Sequence, residues 1–307
     1  MHKSAILFTL FLLLLAFNAR AQDTGSSERY FRNSVAFLQR GNLDEALSNV
    51  NKAIELNPKF LPAYFLRASI YSKKGEAEKG LNDYNRIIEL APVASGVELA
   101  YFNRAMILLR KGDIDAASKD VDKAILLKPD NILIYQGRAV IRFLKRDFEG
   151  ALADYERILA KNPDFTGALL GRGYFRYQKE DFDGALADFN RAIKVYPEYA
   201  SAIINRGIVL GLKGNIAGAI ADFKTAIAIK ADIASDAKNA NFSSPFTEIN
   251  EFIALHPQNA RAYQIRAIFR LFQNKEAEAE ADFRKSVELD EALKSEPEKI
   301  RELIKKR

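Results

Sequence analysis

Cysteine is absent from the 307-residue sequence, and histidine occurs only twice, as His2 and His256. The lack of cysteine excludes disulfide bonds, thiolate catalysis, cysteine-ligated zinc, iron–sulfur centres and a lipid-modified N-terminal cysteine. A single internal histidine makes neither a catalytic triad nor a two-histidine metal motif, and its place directly before Pro257 indicates a turn residue. We therefore expect a non-enzyme without catalytic residues, metal or cofactor.

An excess of one charge is also lacking. The chain has 46 Lys and Arg residues against 40 Asp and Glu residues, a net charge of +6. Spread over this length, that excess does not build the basic surface on which nucleic-acid binding depends. With 48% hydrophobic and 28% charged residues, the composition is that of an ordinary globular protein. We expect no nucleic-acid partner.

Long hydrophobic runs are limited to one, Ala5 to Phe17, which follows the basic Lys3. Its 13 residues are short of the roughly 20 that a membrane-spanning helix needs. Ala19 and Ala21 then form an A-x-A pattern typical of signal-peptidase cleavage. This predicts a signal peptide over 1–21, a short linker over 22–26, and an exported protein with no integral membrane segment after cleavage. A periplasmic location is expected first and secretion second; an uncleaved anchor is the alternative.

Proline is sparse, but its spacing reveals an internal repeat. Successive prolines fall mostly 34 residues apart, at Pro58, Pro92, Pro129, Pro163, Pro197 and Pro257. The period defines seven units: 27–60, 61–94, 98–131, 132–165, 166–199, 200–233 and 260–293. Six units thus occupy 27–233 and the seventh 260–293, while residues 95–97 are an insertion. A fixed period of this length is the signature of a repeat architecture.

Small residues recur at two places in every unit, whose positions we number from one to thirty-four. Position eight is Ser34, Ala68, Ala105, Ala139, Gly173, Gly207 and Ala267, and position twenty is Ala46, Gly80, Ala117, Ala151, Ala185, Ala219 and Ala279. Small side chains allow two helices to cross closely, while bulky residues at positions four and twenty-four fill the space around the crossing. Each unit is therefore expected to be a helix, a turn and a second helix.

The turn has its own pattern. Position fifteen is glycine in four units, at Gly41, Gly75, Gly112 and Gly214, which suits a left-handed helix end. Position sixteen holds N-cap residues in five units, at Asn42, Asp113, Asp147, Asp181 and Asn215. Repeats four, five and seven replace the glycine with Arg146, Glu180 and Lys275, so we expect those turns to close differently.

This pattern resembles the tetratricopeptide repeat, and its best single example is Tyr64, Ala68, Tyr71, Gly75, Tyr84, Ile87 and Pro92. The resemblance covers residues 27–293. It implies an all-α fold, a right-handed superhelical solenoid of helix-turn-helix repeats, whose concave face is lined by first helices. Proteins of this kind serve as protein-interaction scaffolds.

Two segments depart from the pattern. Residues 234–259 form a degenerate repeat or connector, in which Phe246 to His256 is expected to be a second helix, with Ile249 and Phe252 at positions twenty-four and twenty-seven. Whether the repeat array continues through this segment or bends there is open. Residues 294–307 carry apolar residues at helical spacing and are expected to form a C-terminal capping helix.

An arginine and an aspartate recur together in six repeats. The pairs are Arg67 and Asp83, Arg104 and Asp120, Arg138 and Asp154, Arg172 and Asp188, Arg206 and Asp222, and Arg266 and Asp282. The first repeat lacks both, with Asn33 and Asn49 in their places. This matched absence favours structural ion pairs, partly buried beside the helix crossing. The alternative is a ladder of arginines offered to an anionic ligand.

The first helices carry an apolar stripe at positions two, five, nine and twelve. From it we select a candidate partner-binding surface: Phe65, Ser69, Phe102, Met106, Gln136, Val140, Tyr174, Tyr177 and Ile208. One interpretation is a groove for an amphipathic helix or an extended apolar segment; the other is that curvature buries the stripe as core. We expect a protein or peptide partner on the concave face. A chaperone-like carrier of hydrophobic segments and a self-assembling structural protein, hence a homo-oligomer, are the alternatives.

Overall fold

Helices are the only regular elements in the part of the chain that the computed structural model describes, residues 26–229 and 245–305. The expected signal peptide 1–21, and residues 234–244 of the irregular segment, lie outside the described residues. The chain divides into two units, residues 1–147 and 148–307, and the division falls inside the fourth repeat. The prediction of an all-α fold built from helix-turn-helix repeats is confirmed.

Unit 1 consists of three hairpins and the first helix of a fourth. Its described helices are α1 (Ser26–Gln39), α2 (Leu43–Leu56), α3 (Leu61–Lys74), α4 (Ala77–Leu90), α5 (Val97–Arg110), α6 (Ile114–Leu127) and α7 (Ile132–Leu144). Helices pack in successive pairs, α1 on α2, α3 on α4 and α5 on α6, and each second helix also packs on the next first helix. One apolar interior therefore passes from repeat to repeat within the unit.

Unit 2 begins with the second helix of the fourth repeat. Its described helices are α8 (Phe148–Lys161), α9 (Thr166–Gln178), α10 (Phe182–Val195), α11 (Ala200–Leu212), α12 (Ile216–Ile229), α13 (Pro245–Leu255), α14 (Ala260–Phe272), α15 (Glu276–Leu289) and, after a 3-10 turn at Glu291–Leu293, α16 (Glu296–Lys305). The hairpins are α9 with α10, α11 with α12, and α14 with α15. Helix α13 has no hairpin partner among the described residues.

The small residues lie at close helix crossings. A Cβ added to Gly80 of α4 would lie 3.4 Å from the carbonyl oxygen of Ala68 in α3 and 3.9 Å from its Cα. In the first repeat, the Ser34 hydroxyl donates a 2.7 Å hydrogen bond to the carbonyl of Ala46 across the same crossing. Positions eight and twenty thus set the distance between the two helices of a repeat.

The turns differ from expectation in three repeats. Gly41, Gly75, Gly112 and Gly214 have positive φ, as predicted, but Arg146, Glu180 and Asn274 also have φ of 64°, 61° and 58°. The expectation that turns without glycine close differently is therefore wrong, and the left-handed residue of the seventh repeat is Asn274 rather than Lys275. The packed helices on either side impose one turn geometry, and residues other than glycine adopt it at a cost in strain.

The last helix covers the end of the array. Ile300 of α16 is fully buried, and the guanidinium of Arg301 lies 5.2 Å from the ring centre of Phe283 in α15. Helix α16 also reaches α12, where Lys224 Nζ donates a 3.0 Å hydrogen bond to the carbonyl of Leu303. The apolar stripe of the tail thus closes the interior of unit 2.

Candidate functional site

The first-helix face of unit 1, formed by positions two, five, nine and twelve of α3, α5 and α7, carries no charged residue. Phe65, Phe102, Met106, Gln136 and Val140 are half-buried there. Phe65, Phe102 and Met106 pack against the apolar core, and all five residues are only partly buried. Ser69, the sixth residue selected in this unit, is buried and does not contribute surface.

Phe102 and Met106 form the centre of this face. Both lean on Gly137 of α7, where an added Cβ would meet the Phe102 ring at 2.5 Å and the Met106 methyl at 3.3 Å. Nearby in the array, the ring of Phe65 packs edge-on against Tyr84, with centroids 6.0 Å apart. The absence of a side chain at Gly137 therefore provides the space that lets an aromatic ring and a methionine lie side by side.

The same face in unit 2 is covered. Tyr174 and Tyr177 of α9 are 8% and 0% exposed, and Ile208 of α11 is 0% exposed. The expectation that these three residues line an open groove is wrong for the described structure. Helix α13 covers the two tyrosines, and an added Cβ at Gly211 of α11 would collide with Ile265 of α14.

Helix α13 is held on α9 by aromatic and polar contacts. The rings of Phe252 and Tyr177 are stacked, with centroids 5.4 Å apart and planes inclined by 25°. The Tyr174 hydroxyl donates to Glu251 Oε2 at 2.7 Å, and the Tyr177 hydroxyl donates to the carbonyl of Glu248 at 3.1 Å. Burial raises the pKa of both phenols well above the ordinary value, so both hydroxyls remain protonated donors.

His256 fastens the C-terminal end of α13 to the turn after α9. Its Nδ1 lies 3.1 Å from Glu180 Oε1, and its Nε2 lies 3.2 Å from the carbonyl oxygen of Gln178. Its ring also stacks on Phe252, with centroids 4.4 Å apart. The residue occupies the turn before Pro257, as predicted, but its side chain also joins two helices that are distant in sequence.

The arginine and aspartate residues form forked ion pairs in five repeats. Arginine Nη2 lies 2.6 to 2.7 Å from aspartate Oδ1 in the pairs Arg67–Asp83, Arg104–Asp120, Arg172–Asp188, Arg206–Asp222 and Arg266–Asp282. In each, arginine Nε donates to the second carboxylate oxygen at 2.7 to 3.0 Å. The bond to Asp120 raises the pKa of Arg104. The sixth pair, Arg138 and Asp154, falls in different units.

The third arginine nitrogen binds the preceding repeat. Nη1 of Arg67, Arg104, Arg206 and Arg266 donates to the side-chain oxygen of Asn51, Asn85, Asn190 and Asn250, respectively, at 2.7 to 3.0 Å. Those asparagines all occupy position twenty-five, which the sequence analysis did not single out. Because Nε, Nη1 and Nη2 of these four arginines each donate within the protein, the geometry favours the structural role over a ladder for an anionic ligand.

Tyrosine at position four makes a second link between repeats, which sequence reasoning treated only as bulk. The hydroxyls of Tyr64, Tyr135 and Tyr263 donate to the carbonyls of Pro58, Pro129 and Pro257, respectively, at 3.0 to 3.2 Å. The signal was available, since each of these tyrosines follows its proline by six residues. The proline that ends one repeat therefore also accepts a hydrogen bond from the next.

Two kinds of feature would define further sites in residues 26–229 and 245–305: clusters of metal-ligating side chains and membrane-spanning helices. No three metal-ligating side chains gather there. Nor does any helix in these ranges have the length and apolarity to span a bilayer. The surfaces that distinguish the described chain are thus the half-exposed face of unit 1 and the covered face of unit 2.

Stacked hairpins with small-residue crossings, forked ion pairs and an apolar first-helix face define a helical-repeat protein of the protein-binding class. Family models for the tetratricopeptide repeat match residues 27–60, 61–93, 99–131, 138–193, 176–236 and 260–293. The chain belongs to the tetratricopeptide repeat family.

Solved structures share the fold at low sequence identity. A tetratricopeptide repeat protein from Parabacteroides merdae is 20% identical, with a TM-score of 0.57, over 91% of this chain and 98% of that one. PilF of Pseudomonas aeruginosa is 16% identical (TM-score 0.56; 75% and 97% of the two chains). PilW, a type IV pilus biogenesis factor, is 18% identical (TM-score 0.54; 73% and 99%). No curated protein sequence matches the chain.

Proposed function

We propose that this protein is a non-enzymatic scaffold that binds a segment of a partner protein on the first-helix face of unit 1. The observation that carries the proposal is the uncharged face on which Phe65, Phe102, Met106 and Val140 are half-buried. Aromatic and methionine side chains that are packed on one side against the protein and exposed to solvent on the other are typical anchors of protein interfaces. A partner would complete their burial.

The covered face of unit 2 supports this assignment. There the same positions of the repeat are buried beneath helices of the chain itself, so the repeat geometry accommodates a helix on its first-helix face. An amphipathic helix presenting apolar residues every third or fourth position would meet the side chains of α3, α5 and α7 in the same manner. The partner class that we propose for unit 1 is such a helix.

A double substitution tests this binding. We expect Phe102→Ser together with Met106→Ser to weaken partner binding at least about 100-fold, because two anchors of about 2 kcal/mol each are lost. Helical content by circular dichroism should be unchanged. Leu126→Ser is the matched control, because Leu126 is 74% exposed on α6 and lies outside the face. Undiminished binding by the double variant would contradict the proposal.

Carriage of hydrophobic segments is the second candidate, favoured by Met106, because methionine adapts to irregular apolar partners. A carrier would bind many apolar peptides with similar affinity, whereas a scaffold would select one sequence. Self-assembly is the third candidate, and light scattering after size-exclusion chromatography separates an oligomer from a monomer. Both measurements use the same Phe102 and Met106 variant as a control.

Export to the periplasm is part of the proposal and rests on residues 1–21. Secretion from the cell is the alternative destination. Cell fractionation followed by N-terminal sequencing tests it, with a mature chain beginning at Gln22 as the expected result. A cytoplasmic protein that retains residues 1–21 would contradict export.

A further inference from the structure

Helix α13 belongs to the repeat pattern on one side only. Asn250 occupies position twenty-five of the degenerate repeat and accepts the 2.9 Å hydrogen bond from Arg266 that asparagines make in other repeats. Toward α14, α13 is therefore an ordinary second helix. Its first helix is missing from the described residues, which leaves the other side of α13 to pack elsewhere.

That other side fills the first-helix face of unit 2. Ile249 and Phe252 are fully buried, and Phe252 stacks on Tyr177 of α9. Each tyrosine of α9 donates a hydrogen bond from its hydroxyl to α13, Tyr174 to the Glu251 carboxylate and Tyr177 to the main-chain carbonyl of Glu248. Gln178 Nε2 in turn lies 3.0 Å from both tyrosine oxygens. Phe252 and the neighbouring Glu251 carboxylate therefore contact α9 as the anchor residues of a bound peptide would.

The interior around this contact is incompletely satisfied. Gln178 Oε1 of α9, Asn205 Oδ1 of α11 and both amide atoms of Gln264 in α14 are buried without a hydrogen-bond partner. Among the described residues of unit 1, only Ser69 Oγ is in that condition. Unpaired buried polar atoms weaken the packing that encloses them. Four unpaired polar atoms thus lie on α9, α11 and α14, the helices that α13 contacts.

We infer that α13 is a tethered ligand of the face formed by α9 and α11, and that this face exchanges α13 for an external helix of the same chemistry. The external helix carries an aromatic side chain for the Tyr177 ring and a carboxylate just before it for the Tyr174 hydroxyl, as Phe252 and Glu251 do. This second interaction surface lies wholly in unit 2 and does not depend on the proposed site in unit 1.

A peptide-exchange experiment on the full chain tests the inference. The probe is a fluorescein-labelled peptide with the sequence of residues 245–257. We expect it to bind the Phe252→Ser variant at least tenfold more tightly than the unsubstituted protein, because the variant's own α13 no longer competes. Adding Tyr177→Ser to that variant should abolish binding. Leu255→Ser, on the same helix but 63% exposed, is the matched control and should behave as the unsubstituted protein does.

The inference is overturned if the Phe252→Ser variant keeps its helicity and binds the peptide no more tightly than the unsubstituted protein. If that variant fails to fold, hydrogen exchange on the unsubstituted protein decides. Amides of α13 exchanging at least tenfold faster than those of α9 support exchange, and both helices exchanging in one step overturn it. A dimer whose α13 helices are swapped would show a second copy as the occupant and overturn the external partner.

Discussion

A forked arginine is the residue-scale device that holds this array together. In Arg104, Nε and Nη2 bind the Asp120 carboxylate within the repeat, and Nη1 binds Asn85 of the repeat before it. The ion pair is partly buried and so shielded from water. Removing one partner would leave the other charge buried and unpaired, which costs more free energy than the intact pair contributes. A single side chain therefore fixes both the hairpin and its stacking.

Removal of this fork should destabilise the fold. We expect Arg104→Ala to lower the free energy of unfolding by about 3 kcal/mol, because it leaves the buried Asp120 without its counter-charge. Urea denaturation followed by circular dichroism measures the change. Lys145→Ala, which breaks the exposed pair with Asp115, is the control and should leave the free energy of unfolding nearly unchanged. An equally small effect of Arg104→Ala would refute the structural role.

The aspartate half of this device could be anticipated from the sequence, and the asparagine half could not. The first repeat lacks arginine and aspartate together, at Asn33 and Asn49, and this matched absence pointed to mutual partners. Position twenty-five gave no such signal, because Asp122 and Glu156 replace asparagine there in repeats three and four. A partner in the preceding repeat is visible only once the helices are stacked.

The packing of the two flanking helices determines the backbone conformation of the turn, whichever residue stands there. Arg146 adopts φ of 64° in a turn that other repeats build with glycine. Glycine marked this geometry where it was present, as at Gly75, but its replacement did not mark a different one. Residue preference alone predicts a different turn where glycine is replaced, whereas the close packing of the flanking helices outweighs a strain of about 1 kcal/mol.

Relief of this strain should stabilise the protein. We expect Arg146→Gly to raise the free energy of unfolding by about 0.5 to 1 kcal/mol, since glycine adopts positive φ without a steric penalty. The reverse change, Gly112→Arg, should lower it by a similar amount, because a Cβ at Gly112 meets no neighbour within 4 Å and only the backbone is affected. Thermal denaturation measures both. A destabilised Arg146→Gly variant would contradict the strain argument.

The sequence pattern of α13 predicts the helix but not the surface on which it packs. The period predicted a second helix from Phe246 to His256 and placed Ile249 and Phe252 on its apolar side, and the structure has a helix at Pro245–Leu255. The surface that this side covers was not predictable. The repeat period predicts contacts within a repeat and between neighbouring repeats. Phe252 instead contacts Tyr177, which lies about two repeats earlier in the sequence.

At the scale of the whole molecule, one type of surface occurs in two states. The first-helix face is half-exposed in unit 1 at Phe102 and Met106, and it is covered in unit 2 at Tyr174 and Tyr177. For this stripe an open groove and a buried core are the two alternatives, and burial of Tyr174 and Tyr177 agrees with the second in unit 2. In unit 2, a helix of the irregular repeat covers the tyrosines of this face.

Photo-crosslinking at two matched positions tests this account most directly. A small azide-bearing phenylalanine analogue is placed at residue 102 or at residue 174 of the protein in its native cells, and the products are identified by mass spectrometry. The account predicts a crosslink to another protein from residue 102 and an internal crosslink to residues 246–256 from residue 174. An internal crosslink from residue 102, with none to any partner, would contradict it.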